Sequence, residues 1–344
     1  MKPTTLSIFV DYRCNFNCDH CSVGSTPNSS NPLAADSAKE ILNKGRELGF
    51  KLAAFTGGEP TLALDNLITL IKYAKSLGYI TRVVSNGWWA REEDGASLML
   101  TKLKTAGLDE INMSFDDFHL DLPKGRWKAE QRNLINVAKA SSSLGMKFGI
   151  GIIKKKKSVV NKEFVVNYLS EELGISKDDV LNKFAFIEDV AARTGRGRQT
   201  IADKDIEERE FPITGCVDIG SVYGIHPTGR ITACCGHAMF DSDAFDVSNW
   251  KVDQDPLKRA TEITGKNLVY WWLWALGPQK ILRKLGVDVK TSHICDACEL
   301  LTTRYRNEML GYFRDHKSDI LVNDVLLNPR ARETVIMARN KGLL

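Results

Sequence analysis

The chain has 344 residues, of which 43% are hydrophobic and 26% are charged, and its formal net charge is +4. This length suits one large α/β domain with a smaller appendage. So small a charge gives no argument for nucleic-acid binding, and no apolar run is long enough to span a bilayer. Because no signal-peptide pattern opens the chain, we expect a cytoplasmic protein that binds neither nucleic acid nor membrane.

Strand-like and helix-like segments alternate through the first two hundred residues, and Asp36 is the expected N-cap of the first helix. The predicted strands are 6–12, 52–55, 80–85, 110–115, 146–153 and 184–190, and the predicted helices between them are 35–48, 64–77, 96–106, 129–144 and 164–173. Strands that alternate with helices form a parallel sheet. Six such strands predict an α/β fold, a partial (β/α)6 barrel over residues 1–210.

The pattern changes beyond residue 191, where a basic turn and a polar connector follow the sixth strand. We expect a second, smaller domain over residues 211–344. Segments 222–226 and 230–233, separated by a Pro-Thr-Gly turn, predict a β-hairpin, and the remainder is predicted to be helical. The most apolar segment, 267–277, is too short to cross a bilayer and predicts a buried or interfacial helix.

Three of the eight cysteines, Cys14, Cys18 and Cys21, follow the first strand in one short loop. Disulfides are rare in the cytoplasm, so clustered thiols indicate metal or redox chemistry. Three thiolates can hold three irons of a [4Fe–4S] cube and leave the fourth iron open to a cofactor. The alternative is a zinc knuckle with His20 as its fourth ligand, although His20 lies between two ligands of a tight loop.

The CxxxCxxC spacing after a first strand resembles the radical S-adenosylmethionine (SAM) enzymes. In that family the residue before the third cysteine lies against the adenine of SAM, and His20 takes this place. The segment after the second strand resembles the family's GGEP motif, which contacts the amino group of SAM. Glycines let backbone carbonyls approach closely, and a carboxylate can pair with an ammonium group. The segment comprises Thr56, Gly57, Gly58, Glu59 and Pro60.

Weaker similarities follow the later strands. The resemblance assigns the ribose and carboxylate of SAM to residues after the third and fourth strands, and the adenine to glycines of the fifth. It also assigns a cofactor or substrate contact to an arginine after the sixth strand. For each of them, an ordinary turn or a solvated polar end is the alternative. The residues are Ser85, Asn86, Ser114, Asp116, Gly149, Gly151 and Arg193.

The resemblance also implies a reaction. The open iron binds SAM, and one electron from the reduced cluster splits SAM into methionine and a 5′-deoxyadenosyl radical. This radical takes a hydrogen atom from a substrate, while the protein supplies binding and orientation. The electron would come from an external donor of the flavodoxin or ferredoxin type.

A second group of cysteines lies near the C-terminal end. Cys216 is followed by twelve residues, Gly229, four residues and Cys234, and Cys295 and Cys298 come later. This spacing resembles the C-terminal extension called SPASM, or its shorter form called Twitch. Five cysteines after residue 200 are too few for the two clusters of a full SPASM extension. The resemblance therefore implies one auxiliary [4Fe–4S] cluster on these four thiolates, although a four-thiolate zinc site has the same spacing.

One cysteine, Cys235, is left over by this assignment. A packed thiol is the commonest fate of a free cysteine, and Cys235 is also placed to replace Cys234 as a ligand. The sharper hypothesis makes it a hydrogen-atom donor to a substrate radical, because some peptide epimerases of this family use a cysteine in that way.

Three functions compete. The first is modification of a ribosomally made peptide, by crosslinking or epimerisation; because the barrel starts near Met1, we expect direct recognition or a separate leader-binding partner. The second is dehydrogenation or epimerisation of a small molecule, such as a sugar or an aminocyclitol. The third is a non-catalytic iron–sulfur or zinc protein, against which the Gly-Gly-Glu-Pro segment and the three-ligand loop both argue.

Overall fold

A computed structural model describes residues 1–120, 127–206 and 215–329. Its strands are β1 (Thr5–Asp11), β2 (Leu52–Gly57), β3 (Ile80–Ser85), β4 (Glu110–Ser114), β5 (Lys147–Lys154), β6 (Ala185–Val190), β7 (Val222–Ile225), β8 (Arg230–Thr232) and β9 (Asp246–Asn249). They form one sheet in the order β6-β5-β4-β3-β2-β1-β7-β8-β9.

Helices cover the sheet and extend to its C-terminal side. They are α1 (Ala35–Glu47), α2 (Leu64–Ser76), α3 (Glu93–Ala106), α4 (Asp117–Leu120), α5 (Trp127–Ser143), α6 (Lys162–Leu173), α7 (Lys177–Lys183), α8 (Gly197–Thr200), α9 (Pro256–Lys266), α10 (Leu268–Ala275), α11 (Pro278–Lys284), α12 (Ile294–Thr302), α13 (Arg306–Asp315) and α14 (Lys317–Asp319). Within the described ranges, no helix combines the length and the apolar character that crossing a membrane requires.

The six predicted barrel strands are confirmed, and every neighbouring pair from β1 to β6 is parallel. Side chains such as Leu6, Ile8 and Val10 of β1 are fully buried, as expected for strands with helices outside and other side chains inside. The connecting helices therefore place the carboxyl ends of all six strands at one end of the barrel.

Two local predictions need correction. Asp36 is not the N-cap of α1, because Ala34 occupies that position and Asp36 lies in the first turn. Helix α7 was missed, because it is short and largely polar. Its signal is Ser176, whose hydroxyl accepts a hydrogen bond from the Asp179 amide at 3.1 Å, a typical N-cap arrangement.

The hairpin is confirmed as the antiparallel pair β7 and β8. The position of this hairpin was not predicted. Strand β7 also pairs in parallel with β1 and so extends the barrel sheet, and β9 adds an edge strand. The predicted domain boundary at residues 210 and 211 lies outside the described residues. Segment 267–277 contains the buried helix α10, in which Trp272 is fully enclosed and donates to the Asp324 carboxylate at 2.8 Å.

Candidate active site

A cavity of about 340 Å³ opens at the carboxyl ends of the barrel strands. Cys14, Cys18 and Cys21 all line it. The loop that carries them is held by its own backbone: Cys14 N donates to Thr26 O, and Cys21 N donates to Cys18 O, both at 3.1 Å. Burial raises the pKa of the Cys14 thiol to about 11, and coordination by a metal is the usual way in which such a thiol loses its proton.

An arginine after β6, Arg196, clamps this loop. The Arg196 guanidinium donates to Cys18 O at 2.7 Å, to Gly24 O at 3.1 Å and to Ser25 O at 2.7 Å. Arg193 lies away from the cavity, and its guanidinium pairs with the exposed Asp203. Both arginines share one short turn, so residue type and spacing do not indicate which side chain points inward.

The glycines after β2 lie against the backbone that leads into the cysteine loop. A Cβ on Gly57, whose φ is +147°, would lie 2.1 Å from Asp11 O, and a Cβ on Gly58 would lie 2.3 Å from Arg13 O. Such distances are forbidden, so both positions require glycine. Thr56, Gly57 and Gly58 all line the cavity, and Pro60 begins a 3₁₀ turn behind it.

The carboxylate of Glu59 is fully buried and is directed to neighbouring loops. It accepts from Thr61 Oγ1 at 2.6 Å, Thr61 N at 3.1 Å, Ser85 Oγ at 2.9 Å and Asn86 N at 2.7 Å. Burial raises the pKa of Glu59 although these donors act in the opposite direction. In this structure Glu59 joins the loop after β2 to the loop after β3, an arrangement that the motif alone does not reveal.

The residues predicted on the fourth and fifth strands divide into two groups. Ser114 and Gly151 line the cavity, whereas a Cβ on Gly149 would meet the Asn112 side chain at 2.2 Å instead of the cavity. Asp116 is fully buried and accepts from the His119 ring at 2.8 Å and from the amides of residues 118 and 119 at 3.0 Å. Burial opposes ionisation of Asp116, but the contacts with His119 outweigh it and lower the pKa of that carboxyl.

His20 lies on the cavity wall with its ring centroid 4.4 Å from that of Phe118. Burial lowers the pKa of His20 to about 4, so its ring is neutral. Its Nδ1 atom is buried without a hydrogen-bond partner among the described residues. A neutral, flat ring with an unfilled polar atom suits contact with a heterocyclic base, which agrees with the place that the resemblance gives to His20.

A second cavity, of about 630 Å³, is lined by Cys216, Cys234, Cys295 and Cys298. The last two lie one turn apart on α12, so both side chains project from the same face of the helix. Burial raises the pKa of the Cys216 thiol to about 11. His293 caps this helix, since its Nδ1 accepts from Cys295 N at 3.0 Å. The predicted set of four auxiliary thiols thus meets in space.

The two cavities share part of a wall. Cys235 and His237 line both of them. His237 was not predicted; its Nδ1 lies 2.6 Å from Ser22 Oγ, which in turn accepts from Thr194 Oγ1 at 3.1 Å. This contact joins the segment after the cysteine loop to the wall that the two cavities share.

Both donor sets fit iron–sulfur clusters. The first cavity offers three soft thiols beside close-approaching glycine backbone, and the second offers four. Thiolates in these numbers suit a cube with one open iron and a fully ligated cube, respectively.

Comparison with known proteins supports this assignment. Residues 8–155 match the Radical SAM superfamily. The chain is 24% identical over 324 residues to YydG of Bacillus subtilis (strain 168), a protein named for peptide biosynthesis, with 91% of this chain and 96% of YydG covered. A Sulfolobus acidocaldarius protein named as a GTP 3′,8-cyclase is 34% identical over 110 residues, which cover 32% of this chain and 33% of that protein.

Among solved structures, Streptococcus suis SuiB bound to the precursor peptide SuiA shares the fold, with a TM-score of 0.55 and 16% sequence identity. The match covers 86% of this chain and 70% of that chain. The family match covers the cysteine loop and the first five strands, where the structure places the cavity. The chain therefore carries a Radical SAM domain over residues 8–155, and it is an enzyme that uses a [4Fe–4S] cluster and S-adenosylmethionine.

Proposed function

We propose that this enzyme modifies a peptide by inverting an α-carbon. The observation that carries the peptide assignment is the match to YydG, because it extends over 91% of this chain and 96% of YydG. The match to the GTP cyclase covers only 32% of this chain. A relative whose match extends over nearly the whole chain is a better guide to the substrate than one whose match covers a third of it.

Residues of the first cavity would hold the cofactors. Cys14, Cys18 and Cys21 ligate the SAM-cleaving cluster, the backbone of Gly57 and Gly58 receives the amino group of SAM, and His20 lies against the adenine. The contacts described for Glu59 support a positioning role, in which it keeps the loops after β2 and β3 together. When bound and reduced, the cluster supplies the electron that splits SAM into methionine and a 5′-deoxyadenosyl radical.

Ser85, Asn86 and Ser114 all line the first cavity. Ser114 would face the polar parts of SAM, and Gly151 leaves space for the adenine. Asp116 holds His119 beside the cysteine loop, and Gly149 and Arg193 lie outside the cavity lining. The second cavity would hold one auxiliary cluster on Cys216, Cys234, Cys295 and Cys298, as in a Twitch-type extension.

The position of Cys235 supports inversion over crosslinking. Its side chain lines the first cavity and the second, so a substrate between them has the SAM site on one side and a thiol on the other. The 5′-deoxyadenosyl radical removes the α-hydrogen from one face, and Cys235 returns a hydrogen atom from S–H to the opposite face. The resulting thiyl radical regains its thiol with one electron and one proton. We assign that electron to an external flavodoxin- or ferredoxin-type donor.

The test uses anaerobically reconstituted enzyme, dithionite, SAM and a panel of synthetic peptides, in D₂O. We expect about eight irons per chain, 5′-deoxyadenosine, and a peptide that is one mass unit heavier, because the exchangeable S–H delivers deuterium. Cys235→Ala should keep the iron and the 5′-deoxyadenosine but lose the inverted product.

Other outcomes discriminate the alternatives. A peptide two mass units lighter indicates a crosslink, and turnover only with a sugar or an aminocyclitol indicates the small-molecule reaction. Zinc in place of iron, or well-loaded protein that forms no 5′-deoxyadenosine, refutes the cluster assignment. The variant in which Cys14, Cys18 and Cys21 are all alanine is the control for SAM cleavage.

A further inference from the structure

The side chain of Asn86 connects the loop after β3 to the cysteine loop. It is only 7% exposed. Its amide nitrogen lies 3.0 Å from Asn15 Oδ1 and 3.7 Å from Cys14 Sγ. Its backbone amide is anchored at 2.7 Å on the Glu59 carboxylate. The contact with sulfur thus comes from a buried residue that is fixed on more than one side.

The orientation of this amide follows from its partners. Oxygen and nitrogen of an asparagine are assigned from the hydrogen-bond network. Trp88 N lies 3.0 Å from Asn86 Oδ1, and a backbone N–H requires an acceptor. The nitrogen then has two hydrogens for two acceptors, the Asn15 carbonyl oxygen and the Cys14 sulfur. Reversing the amide would place donor against donor at Trp88, so an N–H group points toward Cys14 Sγ.

We propose that Asn86 is a positioning residue whose N–H···S hydrogen bond to Cys14 stabilises the reduced form of the SAM-cleaving cluster. This inference rests on the proposed function, in which Cys14 is a cluster ligand. Reduction adds one electron to the cluster and breaks no bond, and the added negative charge spreads onto the thiolates. A hydrogen-bond donor at a ligating sulfur favours the more negative state and raises the reduction potential.

A second hydrogen-bond donor to Cys14 limits the expected change in the reduction potential. The backbone amide of Phe16 lies 3.3 Å from the same sulfur and is present in every side-chain variant. Removing the Asn86 amide therefore weakens the hydrogen bonding of Cys14 without abolishing it. We expect a change on the order of tenfold in the ratio of reduced to oxidised cluster at a fixed potential. For a one-electron couple, tenfold corresponds to 59 mV.

The experiment is a redox titration of the reconstituted holoenzyme, followed by electron paramagnetic resonance. The signal of the SAM-cleaving cluster is identified by its change on adding SAM, and the potentials are then measured without SAM. Asn86→Leu removes the donor with little change of volume. Asn86→Ser is a second, uncharged variant that lacks the amide donor. Asn15→Ala is the matched control, because it removes the other partner of the same amide.

We expect a more negative potential for the SAM-cleaving cluster in both Asn86 variants, and the wild-type value in Asn15→Ala. The auxiliary cluster in the same sample is an internal reference and should not shift. Unchanged potentials in a fully iron-loaded Asn86 variant, or equal shifts of both clusters, overturn the proposal. If Asn86→Leu loads poorly, Asn86→Ser decides by the same criterion. Failure of the proposed function differs, because the wild type itself would then lack iron or fail to cleave SAM.

Discussion

The two cysteine sites of this chain are built in different ways. The first takes Cys14, Cys18 and Cys21 from one loop directly after β1, whereas the second gathers cysteines from the segment before β7, the segment after β8 and helix α12. The first site is therefore specified locally and is readable from spacing. The second exists only when distant segments pack together, so its ligands depend on the fold for their geometry.

The surroundings differ in the same sense. Around the first cavity, backbone groups and buried polar side chains do most of the positioning, as the contacts of Gly57, Glu59 and Arg196 show. Around the second, apolar side chains such as Phe245, Leu273 and Pro278 share the wall with the cysteines. A polar cradle suits a cofactor that comes and goes, while an apolar wall suits a permanently enclosed cluster.

The largest expected effect separates the two sites. Cys298→Ser removes one of four ligands from the second cavity, so iron should fall from about eight to about four atoms per chain. Formation of 5′-deoxyadenosine from SAM should continue within about tenfold of the wild-type rate, because the first loop uses none of the second site's ligands. Iron analysis and chromatography measure both quantities. Loss of both clusters in this variant would show that the sites are not independent.

A smaller effect tests whether the first site is as local as its spacing suggests. Arg196→Lys removes a guanidinium that donates to three loop carbonyls and puts a single ammonium group in its place. We expect the loop to lose about 1–3 kcal/mol of stabilisation, measured as faster iron loss from the SAM-cleaving cluster to a chelator. The control is Arg306→Lys, which alters the exposed ion pair with Asp243. Equal rates of iron loss in the two variants would argue against a role of Arg196 in holding the cysteine loop.

The smallest expected effect concerns the junction between the barrel and the C-terminal region, where β7 pairs with β1. His226, at the end of β7, accepts or donates a 2.7 Å hydrogen bond with Tyr12 and stacks on Phe9 at 4.5 Å. Burial, with help from the Arg230 charge, lowers the pKa of His226 to about 3 from 6.5. Below pH 6.5, His226 therefore binds a proton in the unfolded chain but stays neutral in the folded chain. The free energy of unfolding falls as the pH drops from 6.5 toward 3.

The decline should approach about 1.4 kcal/mol per pH unit for this one group. Denaturant unfolding between pH 7.5 and 5.5 measures it, with His226→Asn as the reference that cannot titrate at this position. The wild type should lose more stability than the variant over this interval. Parallel curves would mean that His226 does not report the acid sensitivity of the junction.

The sequence allowed the barrel and the first site to be predicted because both follow short-range rules. Alternation of strands and helices located β1 to β6, and spacing located Cys14 and the glycines after β2. The position of β7 beside β1 was not predictable, because pairing between distant strands leaves no periodic trace. The choice of Arg196 over Arg193 likewise depends on which way a turn faces, which neighbouring identical residues cannot reveal.

The pairing of β7 with β1 has a consequence for anyone who would divide this protein. Strand β1, from which the cysteine loop emerges, is flanked by β2 on one side and by β7 on the other. A fragment that ends before β7 would leave one side of β1, with its apolar Leu6, Ile8 and Val10, as an unprotected edge that invites pairing between chains. The C-terminal region is thus not a detachable module, and exchanging it between relatives requires a donor that supplies an equivalent strand.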